Sequence, residues 1–595
     1  MNKPILNNSK LGATLVGGGV AFKVWAPHAD AVAVVGNFND WDGSQHLMKA
    51  GEDGKWNLFV SEAKEGDEYK FEIVNGSQRL LRIDPRAREV TNSIGNSVVY
   101  DPCAFDWEED NFELANFNEL VIYELHIGTF NRTKADSVGT FDCLISKLGY
   151  LQWLGINTIE IMPVAEFAGD ISWGYNPAHL FAVESAYGGP DALKRLVKAA
   201  HEHGMGVIMD VVYNHFGPSD LDLWRFDGWG ENNGGGIYFY NDWRSNTPWG
   251  ESRPDYGRGE VRSFIHDNAM MWMQEYRMDG LRYDMTLYIR SVYGTDEAIP
   301  EGWSLLQWIN RNLHKRFPNK ITIAEDLRTN DALTKPEAYG GANFSTQWDE
   351  AFVHPIRKAI TVADDQYRSM HAVSKAVFHR YNNDAFERVI YTESHDEVAN
   401  GKKRVPSEID ENNPHGWYAK RRSVLGAVLV FTSPGIPMIF QGQEFVRANW
   451  FDDNNPIDWE EAQEREPTMR LYRDLIGLRL NKDGKTAGLS GSDIYPLQLN
   501  DQDKVIAFER CGSGAIGGKT IVVLNFGHRD WTDYRLGFPE PGTWKVRLNS
   551  VSTCHHFDKT LAVDSVQTQP QEHDGSQQSA QFPLAAYSAL IFSQD

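Results

Sequence analysis

The sequence is poor in cysteine, with four in 595 residues (Cys103, Cys143, Cys511 and Cys554), widely spaced and without a CxxC pair. That excludes a dense disulfide framework and a cysteine-based zinc site, and it points to buried free thiols in a reducing cytosol. Long apolar runs are absent as well. The most apolar stretch, 424–440, is interrupted by Ser433, Pro434, Gly435 and Pro437, too short and too broken to span a bilayer. The opening MNKPILNNSK has no apolar segment of the secretory kind, so the expected location is the cytoplasm. Positive charge is scarce: 58 Lys and Arg against 82 Asp and Glu give a net charge of −24. Such an excess repels phosphate backbones and anionic lipid, so neither nucleic acid nor membrane is an expected partner. Aromatic side chains are abundant instead, at 12% of the chain with 19 Trp. They suit a large core or stacking against flat apolar faces such as those of sugar rings.

Three regions differ in their grammar. From Val20 to Val99 the text is strand and turn: VAFKVWAP, AVAVVGNF, KWNLFV and EYKFEIV, separated by HAD, NDWDGS, GEDG and NGS. This spacing predicts a small immunoglobulin-like β-sandwich over about residues 1–110. Between about residues 111 and 485, short apolar runs ending in polar residues alternate with helical stretches. VIYELHIGTF, NTIEIMPV, GVIMDVVYNH, DGLRYDMT, KITIAED, RVIYTESHDE and IPMIFQGQEF are among eight candidate strands. DALKRLVKAAHEHG is helical in its spacing and closes on Gly204. Alternation of this kind predicts a (β/α)8 TIM barrel. The alternative is an open doubly wound sheet, against which stands the lack of a glycine-rich phosphate loop after the first strand. Beyond residue 485 strands return in KVIAFER, KTIVVLNF, TWKVRLN and LAAYSALIF, predicting a C-terminal antiparallel β-sandwich over 486–595. Within it the polar stretch 564–581 reads as a mobile loop. The expected fold is therefore multidomain: a TIM barrel flanked by two β-sandwiches.

In a parallel barrel the chemistry sits where strands end. Those ends carry Asp210, Asn214 and His215, then Arg282 and Asp284, then Glu325 and Asp326, then His395, Asp396 and Glu397. Arg282 and Asp284 are two apart on one strand and share a face. A cation beside a carboxylate keeps it ionised. Glu325 follows the apolar run ITIA, where burial favours the protonated form. One carboxylate kept charged and one kept acidic is what glycosidic bond cleavage requires. Each feature alone has a plainer reading. An Arg-x-Asp is a structural ion pair, a Glu after a strand is a capping residue, and His-Asp is ordinary loop polarity. Their collection at one set of strand ends is the signal. The spacing forms no compact metal-ligand motif, and no metal is expected, although Asp210 or Asn214 would suit contact with calcium.

DVVYNH (Asp210–His215), GLRYD (Gly280–Asp284), IAED (Ile323–Asp326) and SHDE (Ser394–Glu397) resemble, in order and separation, the four signatures of the α-amylase superfamily. WGYNP (Trp173–Pro177) resembles its further substrate-stacking motif. The resemblance covers essentially the whole chain. It implies that Asp284 is the nucleophile, Glu325 the general acid/base and Asp396 the transition-state stabiliser. It further implies that Arg282 orients Asp284, that His215 and His395 hydrogen-bond the sugar before the scissile bond, and that Tyr175 stacks on that sugar while Asp210 supports the site. No cofactor is implied. The loop from about 216 to 258 corresponds to a small inserted subdomain lining the cleft.

Within the superfamily, FKVWAPHADAVAVVGNFNDWDG resembles the glycogen-binding module of 1,4-α-glucan branching enzymes, with Trp41 in its polar turn the candidate sugar-stacking residue. Trp25 and Trp56, in strand runs, read as core. SHDEVANGK and GQEF also resemble branching-enzyme sequences. Two departures stand out: Asp326-Leu327-Arg328 after the acid, where such enzymes carry an acidic residue and Ser-Thr, and MTLYI after the nucleophile, where small residues are expected. The resemblance implies transfer of a fragment of glycogen, amylose or an amylopectin-like glucan to a 6-hydroxyl by a monomeric enzyme. The alternatives are hydrolysis, by an α-amylase, a debranching enzyme or a trehalose-releasing trehalohydrolase, and a silent glucan-binding protein.

Overall fold

The first strands form because their side chains alternate between a shared interior and solvent. In Glu68–Asn75, for example, Tyr69, Phe71 and Ile73 are buried and the residues between them are partly exposed. In this computed structural model, which describes residues 10–133, 137–295, 298–512, 518–555 and 561–595, these strands make two antiparallel sheets. Gly12–Val16, Gly19–Trp25, Lys49–Ala50 and Lys55–Val60 form one. Ala31–Gly36, Glu68–Asn75, Gln78–Arg82, Glu89–Val90 and Ser97–Val98 form the other. Phe22 of the first meets Tyr69 of the second edge-on at 4.9 Å between ring centroids, as expected of a sandwich.

Eight parallel strands then close on themselves. They are β1 (Ile122–Leu125), β2 (Thr158–Ile161), β3 (Gly206–Val211), β4 (Gly280–Tyr283), β5 (Ile321–Ala324), β6 (Thr346–Trp348), β7 (Arg388–Ile390) and β8 (Ile436–Phe440). Every residue of all eight is buried, as parallel strands covered on both faces must be. Pairing of β8 with β1, Ile122 opposite Met438, closes the ring and rules out the open sheet. The helix Gly189–Glu202 buries Leu193, Leu196 and Val197 against the barrel and gives way to Gly204, whose φ of +72° suits glycine. β3, β4, β5 and β7 lead directly into the four signature segments.

The C-terminal region has a six-stranded antiparallel sheet and a separate pair, Trp531–Phe538 with Gln578–Leu584. The expectation of a mobile loop at 564–581 is overturned. Ser565–Gln567 pairs with Thr543–Lys545, and Gln569 and His573 bridge to Ser579 and Ser576. Polar composition misled because this hairpin lies at a sheet edge, where one face is solvated. The cysteines are free, as expected, but Cys143 alone is buried; Cys103, in a turn, and Cys554, in the short 3-10 helix Thr553–His555, are exposed. Among the described residues, no helix is long and apolar enough to cross a membrane.

The N-terminal sandwich is clamped to the segment after β3. Arg82 donates to the carbonyls of Trp224, Arg225 and Phe226 at 2.9–3.3 Å. His28 stacks on Trp229 at 4.5 Å and holds Asp227 at 2.9 Å. Trp25 is buried, as expected, yet its ring edge meets Tyr238 of that same segment at 5.4 Å.

Candidate active site

β4 carries Arg282 into the barrel interior, where it is fully buried. Such a cation needs anionic partners, and three strands supply them. From β3, Asp210 accepts from Nη1 at 2.7 and 2.9 Å. From the end of β4, Asp284 Oδ1 accepts from Nη1 at 3.0 Å. From the end of β5, Glu325 Oε2 lies 2.7 Å from Nη2, a close ion pair that lacks hydrogen-bond alignment. One guanidinium therefore bridges Asp284 and Glu325.

Asp284 is fixed from its other side. The Asn214 amide donates to Asp284 Oδ2 at 2.7 Å and to its carbonyl at 2.8 Å. Asn214 in turn meets His215 Nδ1, and His215 Nε2 lies 2.9 Å from the Tyr175 carbonyl. Both nitrogens of His215 are thus taken up within the protein, and burial lowers its pKa to about 4. Tyr175 donates its hydroxyl to Asp210 at 2.6 Å, and its ring stacks on His395 at 4.9 Å, which covers one of its faces.

Immediately after Asp284, Met285 sits in the left-handed region at φ +41°, a strained position for a side-chain-bearing residue. The turn aims the Met285 N–H at Glu325 Oε2, 3.0 Å away. Burial pushes the Glu325 carboxyl well above the ordinary range, and Asp284 and Asp396 add to this against the opposition of Arg282. Burial likewise lifts Asp210, against Arg282, to about 6.

Asp396 opens a short turn after β7 and is more than a third exposed; Nε2 of His395 lies 3.6 Å from its Oδ1. Glu124, from β1, was not singled out in the sequence. It accepts from the His395 backbone N–H at 3.1 Å and from Nδ1. Burial alone would lower the His395 pKa, but Asp396 and Glu124 outweigh it and raise it to about 9. A carboxylate inside the apolar run VIYELH was the available signal. Glu160 on β2 is a second one, opposite Glu124 in register, buried, and with Oε2 unpartnered.

The structure thus gathers Tyr175, Asp210, His215, Arg282, Asp284, Glu325, His395 and Asp396 at one end of the barrel. Trp41 lies apart, in the N-terminal sandwich, with 41% of its surface exposed. Asp210 and Asn214 spend their polar atoms on these partners, and among the described residues no group of three or more His, Cys, Asp or Glu is arranged to hold a metal.

The "alpha amylase, catalytic domain" matches residues 125–227 and 224–502. The chain belongs to the α-amylase family. The "carbohydrate-binding module 48 (isoamylase N-terminal domain)" matches 10–87 and the "alpha amylase, C-terminal all-beta domain" 497–595. The 1,4-alpha-glucan branching enzyme GlgB of Corynebacterium jeikeium is 31% identical over 98% of this chain and 83% of its own length. That of Picrophilus torridus is 32% identical over 90% and 74%. The fold is similar to that of a pullulanase from Anoxybacillus sp. LM18-11 complexed with maltotetraose, at a TM-score of 0.78 and 22% identity over 100% of this chain and 89% of that one.

Proposed function

We propose that the chain is a 1,4-α-glucan branching enzyme acting on glycogen- or amylose-like glucans, a cytoplasmic monomer divided at about residues 110 and 485. The observation that carries the retaining chemistry of this reading is that Arg282 pairs with Asp284 while burial pushes the neighbouring Glu325 carboxyl toward its protonated form. Asp284 attacks the anomeric carbon, the bond to the leaving oxygen breaks, and Glu325 gives that oxygen its proton. The resulting glycosyl ester retains the bond energy, so no cofactor enters. Glu325, now a carboxylate, takes the proton from a 6-hydroxyl, whose oxygen attacks the same carbon and frees Asp284. The product is an α-1,6 branch with retained configuration.

Asp396 grips ring hydroxyls, and His395, held cationic by Asp396 and Glu124, donates beside it. His215 acts indirectly, through Asn214 and the Tyr175 backbone. Tyr175 offers the sugar its uncovered face. Trp41 stacks on a glucan away from the barrel. The relatives at 31% and 32% identity bear the branching-enzyme name, which supports transfer over hydrolysis. The segment Asp326-Leu327-Arg328 departs from the branching-enzyme pattern and leaves water as the alternative acceptor, and one incubation separates the two. With amylose, branching lowers iodine colour while reducing ends appear only after a debranching enzyme is added. A hydrolase raises reducing ends together with the loss of colour. Glu325→Gln removes nearly all turnover; a purified variant at the wild-type rate would sink the role of Glu325.

A further inference from the structure

The carboxyls of Asp284, Glu325 and Asp396 are held in different ways. Asp284 takes donors from Arg282 and Asn214, and Glu325 lies against Arg282 and the Met285 N–H. Asp396 is held less closely. Its Oδ1 lies 3.4 Å from the Asn400 amide and 3.6 Å from His395 Nε2, and 38% of its side chain is exposed. A carboxyl held this loosely is placed by its backbone, so whatever fixes the turn after β7 fixes Asp396.

Arg357 grips that turn at both ends. It is a buried residue of Glu350–Thr361, the helix that follows β6. Its Nη1 donates to the Thr392 carbonyl at 2.7 Å, before Asp396, and its Nη2 to the Lys403 carbonyl at 2.9 Å, after it. The same guanidinium stands between two carboxylates, with Nη2 2.8 Å from Glu408 Oε1 and Nε 3.5 Å from Glu397 Oε2. Glu397, the neighbour of Asp396 in the chain, is buried and also takes Lys402 Nζ at 2.8 Å. His354, one turn earlier on the Arg357 helix, lies 4.0 Å from Glu397 Oε2. The Glu and Lys of SHDEVANGK thus close the turn on itself, and Arg357 ties the closed turn to the barrel. A planar fork can hold two carbonyls at once, and its charge offsets the carboxylates it separates.

We infer that Arg357 is a positioning residue, which joins the two ends of the β7 turn and so sets the Asp396 carboxyl against the sugar. The inference rests on the reading of Asp396 as the transition-state stabiliser. On that reading the contribution of Arg357 is felt in the transition state and not in substrate binding. It shows in kcat and leaves KM alone.

The test follows loss of iodine colour from amylose, which reports bond cleavage whether a glucan or water is the acceptor, in full-length variants. Arg357→Met is expected to lower kcat about a hundredfold, the effect of a misplacement of about 1 Å, with KM within about twofold of wild type. That variant strands Glu397 and Glu408, so Arg357→Lys carries the test if Arg357→Met does not fold. Lysine keeps the charge, but its single nitrogen does not reproduce the fork across both carbonyls. The unfolding midpoint of Arg357→Lys stays near wild type while its kcat stays low. In an Asp396→Asn background the further loss on Arg357→Lys shrinks to less than about twofold, because both changes act through one group. Wild-type kcat in Arg357→Lys overturns the proposal. So does a loss in the Asp396→Asn background as large as in the wild type, which makes Arg357 a general brace of the barrel. Asp396→Asn at the wild-type rate is a separate failure, that of the Asp396 reading itself.

Discussion

Arg290 grips both oxygens of Asp326, Nε to Oδ2 at 2.9 Å and Nη2 to Oδ1 at 2.6 Å. The Thr286 hydroxyl adds a third contact to Oδ2 at 3.0 Å, and it also reaches the Glu325 carbonyl at 2.8 Å. The two stretches that depart from the branching-enzyme pattern, MTLYIR after the nucleophile and EDLR at the acid, are therefore partners. Each is odd alone; together they tie the loop carrying Met285 to the strand end carrying Glu325.

Arg290→Met leaves Asp326, whose side chain is 1% exposed, as a buried carboxyl without its cation. The expected cost is about 3 kcal/mol in a denaturant-unfolding experiment, the usual result of breaking a buried pair from one side. Turnover falls too, because the Met285 N–H loses its fixed aim at Glu325. Arg290→Met with Asp326→Asn recovers part of the stability, and a double-mutant cycle measures the coupling. Strict additivity would mean that the pair couples nothing.

His395 gives the protein a pH dependence of calculable sign. Its pKa rises from 6.5 to about 9 on folding, so the folded state holds the proton more tightly than the unfolded chain does. The stabilisation is complete below about pH 6.5 and drains away as the pH rises through about 9. The shift corresponds to about 3 kcal/mol. Unfolding free energies measured at pH 6 and pH 9.5 should differ by that order in the wild type and much less in His395→Gln. Equal pH dependence in both proteins would assign the loss to another group.

How far the sequence alone reaches is clearest at β6. Seven barrel strands announce themselves as apolar runs, but Thr346–Trp348 is three residues long and holds a Thr and a Gln. Its identity comes from pairing with β5 and β7, which no local pattern encodes. The same limit applies to the site. Asp284, Glu325 and Asp396 stand at strand ends in recognisable company. Glu124 does not, because its importance arises only when closure of the barrel sets β1 beside the segment after β7. Asn214 was visible as a polar residue, yet its hold on Asp284 is a contact across 70 positions. The exposed side chains were the least legible, since exposure depends on loops whose course is set by distant partners such as Arg82.

Trp41 occupies a left-handed backbone position, φ +61°, directly after Asp40 at +51°. A large side chain in that conformation is unfavourable for folding, and 41% exposure recovers little of the cost through burial. The proposed sugar stacking is a reason for a Trp at such a position. Trp41→Ala should weaken binding to glycogen about tenfold while leaving turnover of short maltooligosaccharides near the wild-type rate. Co-sedimentation with glycogen reads the first and a reducing-end assay the second. An unchanged affinity removes Trp41 from glucan binding.

Arg82 tests a different use of the same module, as a brace. Its guanidinium satisfies three consecutive carbonyls of the segment that carries Trp243 and Trp249, and its side chain is 16% exposed. Arg82→Met strands those carbonyls at a cost of about 2 kcal/mol, paid locally by the segment rather than by the barrel. The expected result is faster limited proteolysis within 216–258 and a lower kcat/KM on amylose, without the loss of glycogen affinity expected for Trp41→Ala. Two separable phenotypes would mean that the N-terminal sandwich both holds glucan and shapes the cleft, through different faces. Proteolysis at the wild-type rate in Arg82→Met would leave it with the first task only.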